Sequence, residues 1–121
     1  MKSDEMSKIR ERLKERRQRY RQDLRSELNR LRKEASAIGI KRIILFGSFL
    51  RGEAGLSSDL DLLMVWDTPL DYLSRTVELY RRLKPRVAVD MLVYTPEEMK
   101  YMTDTPLVRK ALAEGELIYE A

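Results

Sequence analysis

Three short apolar runs, separated by helical patterns and turns, constrain the fold of this chain most. They are IKRIILF at 40–46, DLDLLMVW at 59–66 and RVAVDMLVY at 86–94. Each run is far too short to span a bilayer, and each is rich in the aliphatic residues that suit a half-buried or buried strand. A shorter run, LIY at 117–119, predicts an additional edge strand. The chain is therefore expected to form a small sheet.

Helical patterns occupy the segments around these strands. Apolar residues recur at steps of three, four and seven from Met6 to Ile38, and Gly39 follows as a helix terminator. Further helices are predicted to open at Thr68-Pro69, at the capping box Thr95–Glu98 and at Thr105-Pro106. The alternation predicts an α/β (α+β) fold, in which helices pack against a sheet and a long helix precedes it.

The predicted organisation is a basic amphipathic N-terminal helix at 1–37 and a domain at 38–121. The apolar stripe of the helix has a gap at Arg16-Arg17, and the half before this gap is weakly apolar. We expect that half to extend beyond the core, where it would favour a homo-oligomer or a partner helix.

Charge is concentrated in the same N-terminal segment. Residues 1–37 hold 13 Lys and Arg against 7 Asp and Glu, whereas the remaining residues hold 11 against 13. Two interpretations stay open: an ordinary solvated helix face, or an arm for an anionic partner such as nucleic acid. Base stacking is poorly supported, because Tyr20 is the arm's one aromatic residue.

Composition also limits the chemistry. Cysteine and histidine are absent from the sequence, which excludes disulfides, an imidazole base and most zinc sites. A metal would be a hard, oxygen-binding ion such as Mg²⁺. Because no run resembles a signal peptide or a membrane span, we expect a cytoplasmic protein that does not enter a membrane.

Acidic residues in the strands carry the main functional pattern. Asp59 and Asp61 are two residues apart, so both carboxylates are expected on one face, and Asp90 is predicted to be buried among apolar neighbours. If these strands pair, the three carboxylates can converge, and a divalent cation would relieve their repulsion. Gly47-Ser48 forms a turn whose backbone N–H groups can hold phosphate. The pattern predicts a Mg²⁺–nucleotide site.

The stretch FGSFLRGEAGLSSDLDLLMV at 46–65 resembles the Gly-Ser-x10-Asp-x-Asp pattern of the DNA polymerase β-like nucleotidyltransferase superfamily. Together with VAVDMLVYTPEE, it is similar to the minimal nucleotidyltransferase (MNT) domains, many of which are antitoxins of HEPN-domain toxins. The resemblance covers roughly residues 24–119, and it implies a small mixed sheet with flanking helices. The positions that match the pattern are Gly47, Ser48, Arg51, Gly52, Ser58, Asp59, Asp61 and Asp90.

This resemblance implies roles for the matching residues. The turn at Gly47 and Ser48 would bind the β- and γ-phosphates of ATP. Asp59 and Asp61 would hold two Mg²⁺ ions, and Asp90 would share the second ion and could accept the proton of an acceptor hydroxyl.

Two further matching residues keep alternative roles. Arg51 would contact phosphate or form a surface salt bridge, and Ser58 would touch phosphate or cap the turn before the strand.

The resemblance also implies a partner. AMP would be transferred to a tyrosine of a cognate HEPN ribonuclease toxin, so that the chain would be an antitoxin that acts as an enzyme. Two alternatives remain: an antitoxin that neutralises its toxin by direct binding without catalysis, and a nucleic-acid-binding regulator that uses the basic N-terminal helix.

Overall fold

The computed structural model describes residues 3–51 and 59–121, which form a four-stranded sheet with helices on both faces. Within these residues, no helix is long and apolar enough to cross a membrane. The architecture confirms the predicted α+β class. The helices are α1 (Ser3–Ile38), α2 (Tyr72–Leu83), α3 (Pro96–Met102) and α4 (Pro106–Glu114), and the strands are β1 (Ile40–Phe46), β2 (Leu60–Trp66), β3 (Val89–Tyr94) and β4 (Glu116–Glu120).

The sheet is mixed, with strand order β3-β2-β1-β4. Strand β1 pairs antiparallel with both β2 and β4, whereas β2 and β3 are parallel. Strand β2 therefore has hydrogen-bonded neighbours on both sides, and Leu62 and Leu63 on its two faces are fully buried. This central position explains why the sequence of β2 is a nearly continuous apolar run.

Alternate residues of β2 enter two different apolar clusters. Leu60, Leu62 and Met64 pack with α1 and α2, while Leu63 and Val65 pack with α3 and α4. Because side chains alternate along a strand, Asp61 lies on the α3–α4 face of the sheet.

Helix α1 has two halves with different surroundings. It contains 36 residues, which corresponds to a length of about 54 Å. Its buried apolar residues begin at Leu24, whereas residues 3–19 are exposed. The structure thus confirms that the N-terminal half extends beyond the core.

Most element boundaries agree with the sequence prediction, but β3 does not. It begins at Val89 rather than at residue 86. The backbone N–H of Arg86 donates to Glu27 Oε2 at 2.5 Å, so this segment is held against α1 before strand pairing starts. Strand β2 begins at Leu60, one residue later than predicted, and the edge strand 117–119 is extended to Glu116–Glu120.

The predicted start of α2 at Thr68-Pro69 was also wrong. The helix begins at Tyr72, because the Asp71 carboxylate accepts the backbone N–H of Ser74 at 2.8 Å and caps the helix there. An N-terminal cap satisfies an otherwise unpaired helix donor, which Pro69 cannot do. The predicted capping box of α3 and the proline start of α4 are both confirmed.

Glu27 links α1 to the connection between α2 and β3. It is 6% exposed, and it accepts from Arg30 Nε at 2.6 Å as well as from the Arg86 backbone. Arg30 in turn donates to the backbone carbonyls of Leu83 and Lys84, both at 3.1 Å. The guanidinium of Arg30 lowers the pKa of Glu27 below its ordinary value, although burial opposes this effect.

Substitution Glu27→Gln should lower the free energy of unfolding by about 1–3 kcal/mol at pH 7, because a buried charge-assisted network loses its anion. The pKa of Glu27 is lower in the folded chain, so its contribution is present at neutral pH and lost as the pH falls below the ordinary value of 4.5. Urea unfolding of both proteins should therefore show a difference that shrinks towards pH 3. The exposed Glu15→Gln variant is the control, and an equal loss there would refute this assignment.

Candidate active site

The turn after β1 is built against the carboxylate of Asp61. Phe46, the last residue of β1, pairs with Asp61 of β2, so Gly47 and Ser48 follow directly beside it. The Ser48 backbone N–H donates to Asp61 Oδ2 at 3.4 Å. Gly47 has φ +77°, and a Cβ there would lie 3.0 Å from Asp61 Cγ and closer still to Oδ2. Glycine is therefore required both by the backbone conformation and by this close approach.

Ser48 carries an unsatisfied polar atom. Its side chain is 9% exposed, and among the described residues its Oγ is a buried oxygen without a hydrogen-bond partner. A buried hydroxyl of this kind normally has a partner, since leaving it unpaired is costly. The position of the hydroxyl on a glycine turn suits a phosphate oxygen as that partner.

Asp61 and Asp90 are brought together by the parallel pairing of β2 and β3. The two residues are register partners, so their side chains project from the same face of the sheet. The prediction that Asp90 is buried was wrong, since its side chain is exposed. Strand β3 is at the sheet edge, and the cluster beneath α3 and α4 reaches only Leu92 and Tyr94. Asp90 is thus open to a ligand.

Asp59 is held differently, because it precedes β2. Its Oδ2 accepts the Ala88 backbone N–H at 3.1 Å, and its Oδ1 accepts the hydroxyl of Tyr20 from α1. The hydrogen bond to Asp59, together with burial and the nearby negative charge, raises the pKa of Tyr20 to about 12. The Tyr20 hydroxyl is therefore protonated at neutral pH.

A cavity of about 390 Å³ opens beside the glycine turn. Its lining includes two basic residues, Arg51 and Lys110, and two acidic residues, Asp61 and Glu114. Its volume is within the range of small-ligand pockets. The remaining lining residues are Phe46, Gly47, Leu50, Leu107 and Ala111.

Helix α1 adds further positive charge on the other side of the turn. The guanidinium of Arg21 lies 4.5 Å from the centroid of the Phe49 ring, and that of Arg25 lies 5.1 Å from it. Arg21 Nη1 also donates to the Phe49 carbonyl at 3.4 Å. These contacts hold α1 against the turn, and the Arg25 guanidinium is also paired with Glu116 Oε2 at 2.8 Å.

The donor chemistry at these strands suits a hard cation, because all three predicted ligands are carboxylates. In the ranges 3–51 and 59–121, however, no three acidic side chains are grouped closely enough to hold a metal ion. Asp61 and Asp90 share a face, while Asp59 is directed towards Tyr20. The roles of these residues as metal ligands thus stay predictions.

The sequence prediction missed some residues of the site, and two predicted residues cannot be located because the structure does not describe them. The predicted positions Gly52 and Ser58 fall outside the described residues. Sequence patterns alone did not indicate Tyr20, Lys110 or Glu114 as site residues. A tyrosine on an apolar stripe does require a polar partner for its hydroxyl, but nothing in the sequence identifies Asp59 as that partner.

A glycine turn packed on a strand carboxylate, on a small mixed sheet flanked by helices, suits a protein that transfers nucleotides. The chain belongs to the nucleotidyltransferase domain family, whose model matches residues 24–118. This membership confirms the resemblance and the assignment as a nucleotidyltransferase.

Two individual proteins are similar to this chain. "Putative protein adenylyltransferase MJ0604" of Methanocaldococcus jannaschii is 35% identical over 82 residues, which cover 66% of this chain and 79% of the relative. A crystal structure described as "a putative nucleotidyltransferase from Sulfolobus solfataricus" superposes with a TM-score of 0.58 at 19% identity, and covers 86% of both chains. The second similarity supports the fold.

Substitution Gly47→Ala should weaken binding of a nucleoside triphosphate by at least about tenfold, or 1.4 kcal/mol, because the new Cβ displaces Asp61. Gly39→Ala provides a matched control. Gly39 also has a positive φ, of +97°, but a Cβ there would have no neighbour within 4 Å. Isothermal titration should show unchanged affinity for Gly39→Ala, and equal affinity in both variants would contradict this role for the turn.

Proposed function

We propose that this chain transfers AMP from ATP to a hydroxyl group of a protein, in a reaction that depends on Mg²⁺. The observation that carries this proposal is the glycine turn packed on Asp61, with Asp90 in register on the neighbouring strand. The protein adenylyltransferase name of the archaeal relative supports transfer to a protein acceptor.

In this proposal, the turn binds the triphosphate. The turn at Gly47 and Ser48 would hold the β- and γ-phosphates, and Ser48 Oγ, which has no partner among the described residues, would be one of its contacts. Arg51 and Lys110 line the adjoining cavity and would add charge to this contact. These groups orient the α-phosphate towards the carboxylates.

Asp59, Asp61 and Asp90 would hold two Mg²⁺ ions, which when bound neutralise the triphosphate and lower the pKa of the acceptor hydroxyl. Asp90 is exposed, so an acceptor from another molecule can reach it. Its carboxylate would receive the hydroxyl proton as the acceptor oxygen attacks the α-phosphorus.

The acceptor that we propose is a tyrosine of a cognate HEPN ribonuclease toxin, which would make this chain an antitoxin. The site supports a macromolecular acceptor, because Asp90 is exposed on the edge strand β3. The exposed N-terminal half of α1 offers a contact surface, with Met6, Ile9 and Leu13 each about 40% exposed.

Incubation with ATP labelled at the α-phosphate, Mg²⁺ and the protein encoded by the adjacent gene should transfer label to a tyrosine of that protein. Asp61→Asn should reduce transfer by at least about a hundredfold, since a ligand for the phosphate-bound cation is lost. EDTA should abolish transfer, and added Mg²⁺ should restore it. Asp67→Asn changes an exposed aspartate at the other end of the same strand and should retain transfer.

A second function is favoured by the same exposed apolar stripe of α1. With this stripe, the chain could neutralise its toxin by binding alone. The basic charge of the same N-terminal half gives a further alternative, which is binding of nucleic acid. Toxin inhibition that persists in an Asp59→Asn/Asp61→Asn double variant, with no label transferred, would support binding without catalysis. Salt-sensitive RNA or DNA binding that disappears when residues 1–17 are deleted would support the nucleic-acid role.

A further inference from the structure

The hydroxyl of Tyr20 forms a hydrogen bond that is not needed for binding phosphate or a metal ion. It belongs to α1, yet its hydroxyl donates to Asp59 Oδ1, 39 positions away in sequence. Asp59 is one of the two carboxylates of the Asp-x-Asp pair at the start of β2. A tyrosine hydroxyl of this chain thus touches one of the three predicted catalytic carboxylates.

The position of this hydroxyl is fixed by packing. Tyr20 is half-buried against the main apolar cluster, and Leu24, one helical turn later, is fully buried in it. The neighbouring Arg21 is anchored on the ring and carbonyl of Phe49. Asp59 is held from its other side by the Ala88 N–H. Both partners are therefore positioned by separate contacts.

Other tyrosine hydroxyls of the chain have different partners. Tyr80 donates to the backbone carbonyl of Val89, and Tyr119 donates to Ser36 Oγ at 3.3 Å. Tyr101 is 71% exposed on α3. Tyr20 is set apart by its carboxylate partner, which can both orient a nucleophilic oxygen and receive its proton.

We propose that Tyr20 is an acceptor of AMP within its own chain, so that the protein adenylylates itself in cis. This inference rests on the proposed function, and it names an acceptor for the same site. The Tyr20 oxygen attacks the α-phosphorus of ATP, and the bond from that phosphorus to the α–β bridging oxygen breaks. Pyrophosphate leaves, and the hydroxyl proton passes to Asp59, giving a phosphodiester between tyrosine and AMP.

Modification would also change access to the site. An adenylylated Tyr20 cannot donate to Asp59, and its AMP group would lie beside this predicted metal ligand. Self-modification should therefore be limited to one AMP per chain and should slow transfer to a partner.

The first experiment measures the mass of the purified full chain after incubation with ATP and Mg²⁺. We expect a gain of one adenylyl group, which tandem mass spectrometry places on Tyr20. Tyr20→Phe, which keeps the ring and its packing, should lose the modification. Tyr80→Phe removes another half-buried hydroxyl near β3 and should keep it. Thermal melting by circular dichroism verifies that both variants are folded, and site mapping in the unsubstituted protein is independent of either.

The second experiment tests transfer within one chain. Asp61→Asn, with Tyr20 intact, is mixed with Tyr20→Phe, which retains the carboxylates. Because Tyr20 reaches the Asp59 of its own chain, the Asp61→Asn protein should stay unmodified. The rate in the unsubstituted protein should also be independent of its concentration. Modification of the Asp61→Asn protein at the unsubstituted rate would overturn transfer in cis.

Adding the protein encoded by the adjacent gene to the same assay tests self-adenylylation and the proposed function separately. Label on that protein with none on Tyr20 would overturn self-adenylylation and leave the proposed function standing. Label on another residue of this chain would also overturn it. A third outcome is that Tyr20→Phe transfers AMP to the partner faster, while Tyr20 of the unsubstituted protein stays unmodified. This outcome would show that Tyr20 blocks the site and is not an acceptor. Absence of label from both proteins would refute both proposals.

Discussion

The pairing of β2 with a neighbour on each side is the constraint on which the rest of the structure depends. Antiparallel pairing with β1 places the glycine turn beside Asp61, and parallel pairing with β3 places Asp90 in register with it. A shift of either register by one residue would reverse the face of every side chain and separate these groups. Apolar residues on both faces of β2 fix that register, so core packing and site geometry have the same cause.

The features of this arrangement that cost folding free energy lie at one end of the sheet. Gly47 adopts a left-handed backbone conformation, Ser48 buries a hydroxyl that has no partner among the described residues, and the Asp61 carboxylate packs against a turn that suits an anion. Glycine adopts the left-handed conformation readily, but the unpaired hydroxyl is unfavourable for folding alone. A ligand that paired with this hydroxyl would offset that cost. Stability is instead supplied away from the site, by the apolar clusters and by the Glu27–Arg30 network.

Periodicity and spacing were sufficient to predict the fold class, the position of β1, two helix starts and the residues of the glycine turn. These features are local, because strand patterns and capping residues act within a few positions. Asp90 was misjudged, since its exposure depends on how far α3 and α4 cover an edge strand. The start of α2 was misjudged because Asp71 competes with Pro69 as a start signal. The Tyr20–Asp59 contact could not be read from sequence, because it joins elements 39 residues apart.

Helix α1 connects the exposed surface to the site through a single apolar stripe. Tyr20 and Leu24 are four residues apart, so the burial of Leu24 also turns Tyr20 towards the body of the protein. The exposed residues Met6, Ile9 and Leu13 continue the same stripe in the N-terminal direction. A partner that packed along these residues would therefore approach the site from the side occupied by Tyr20.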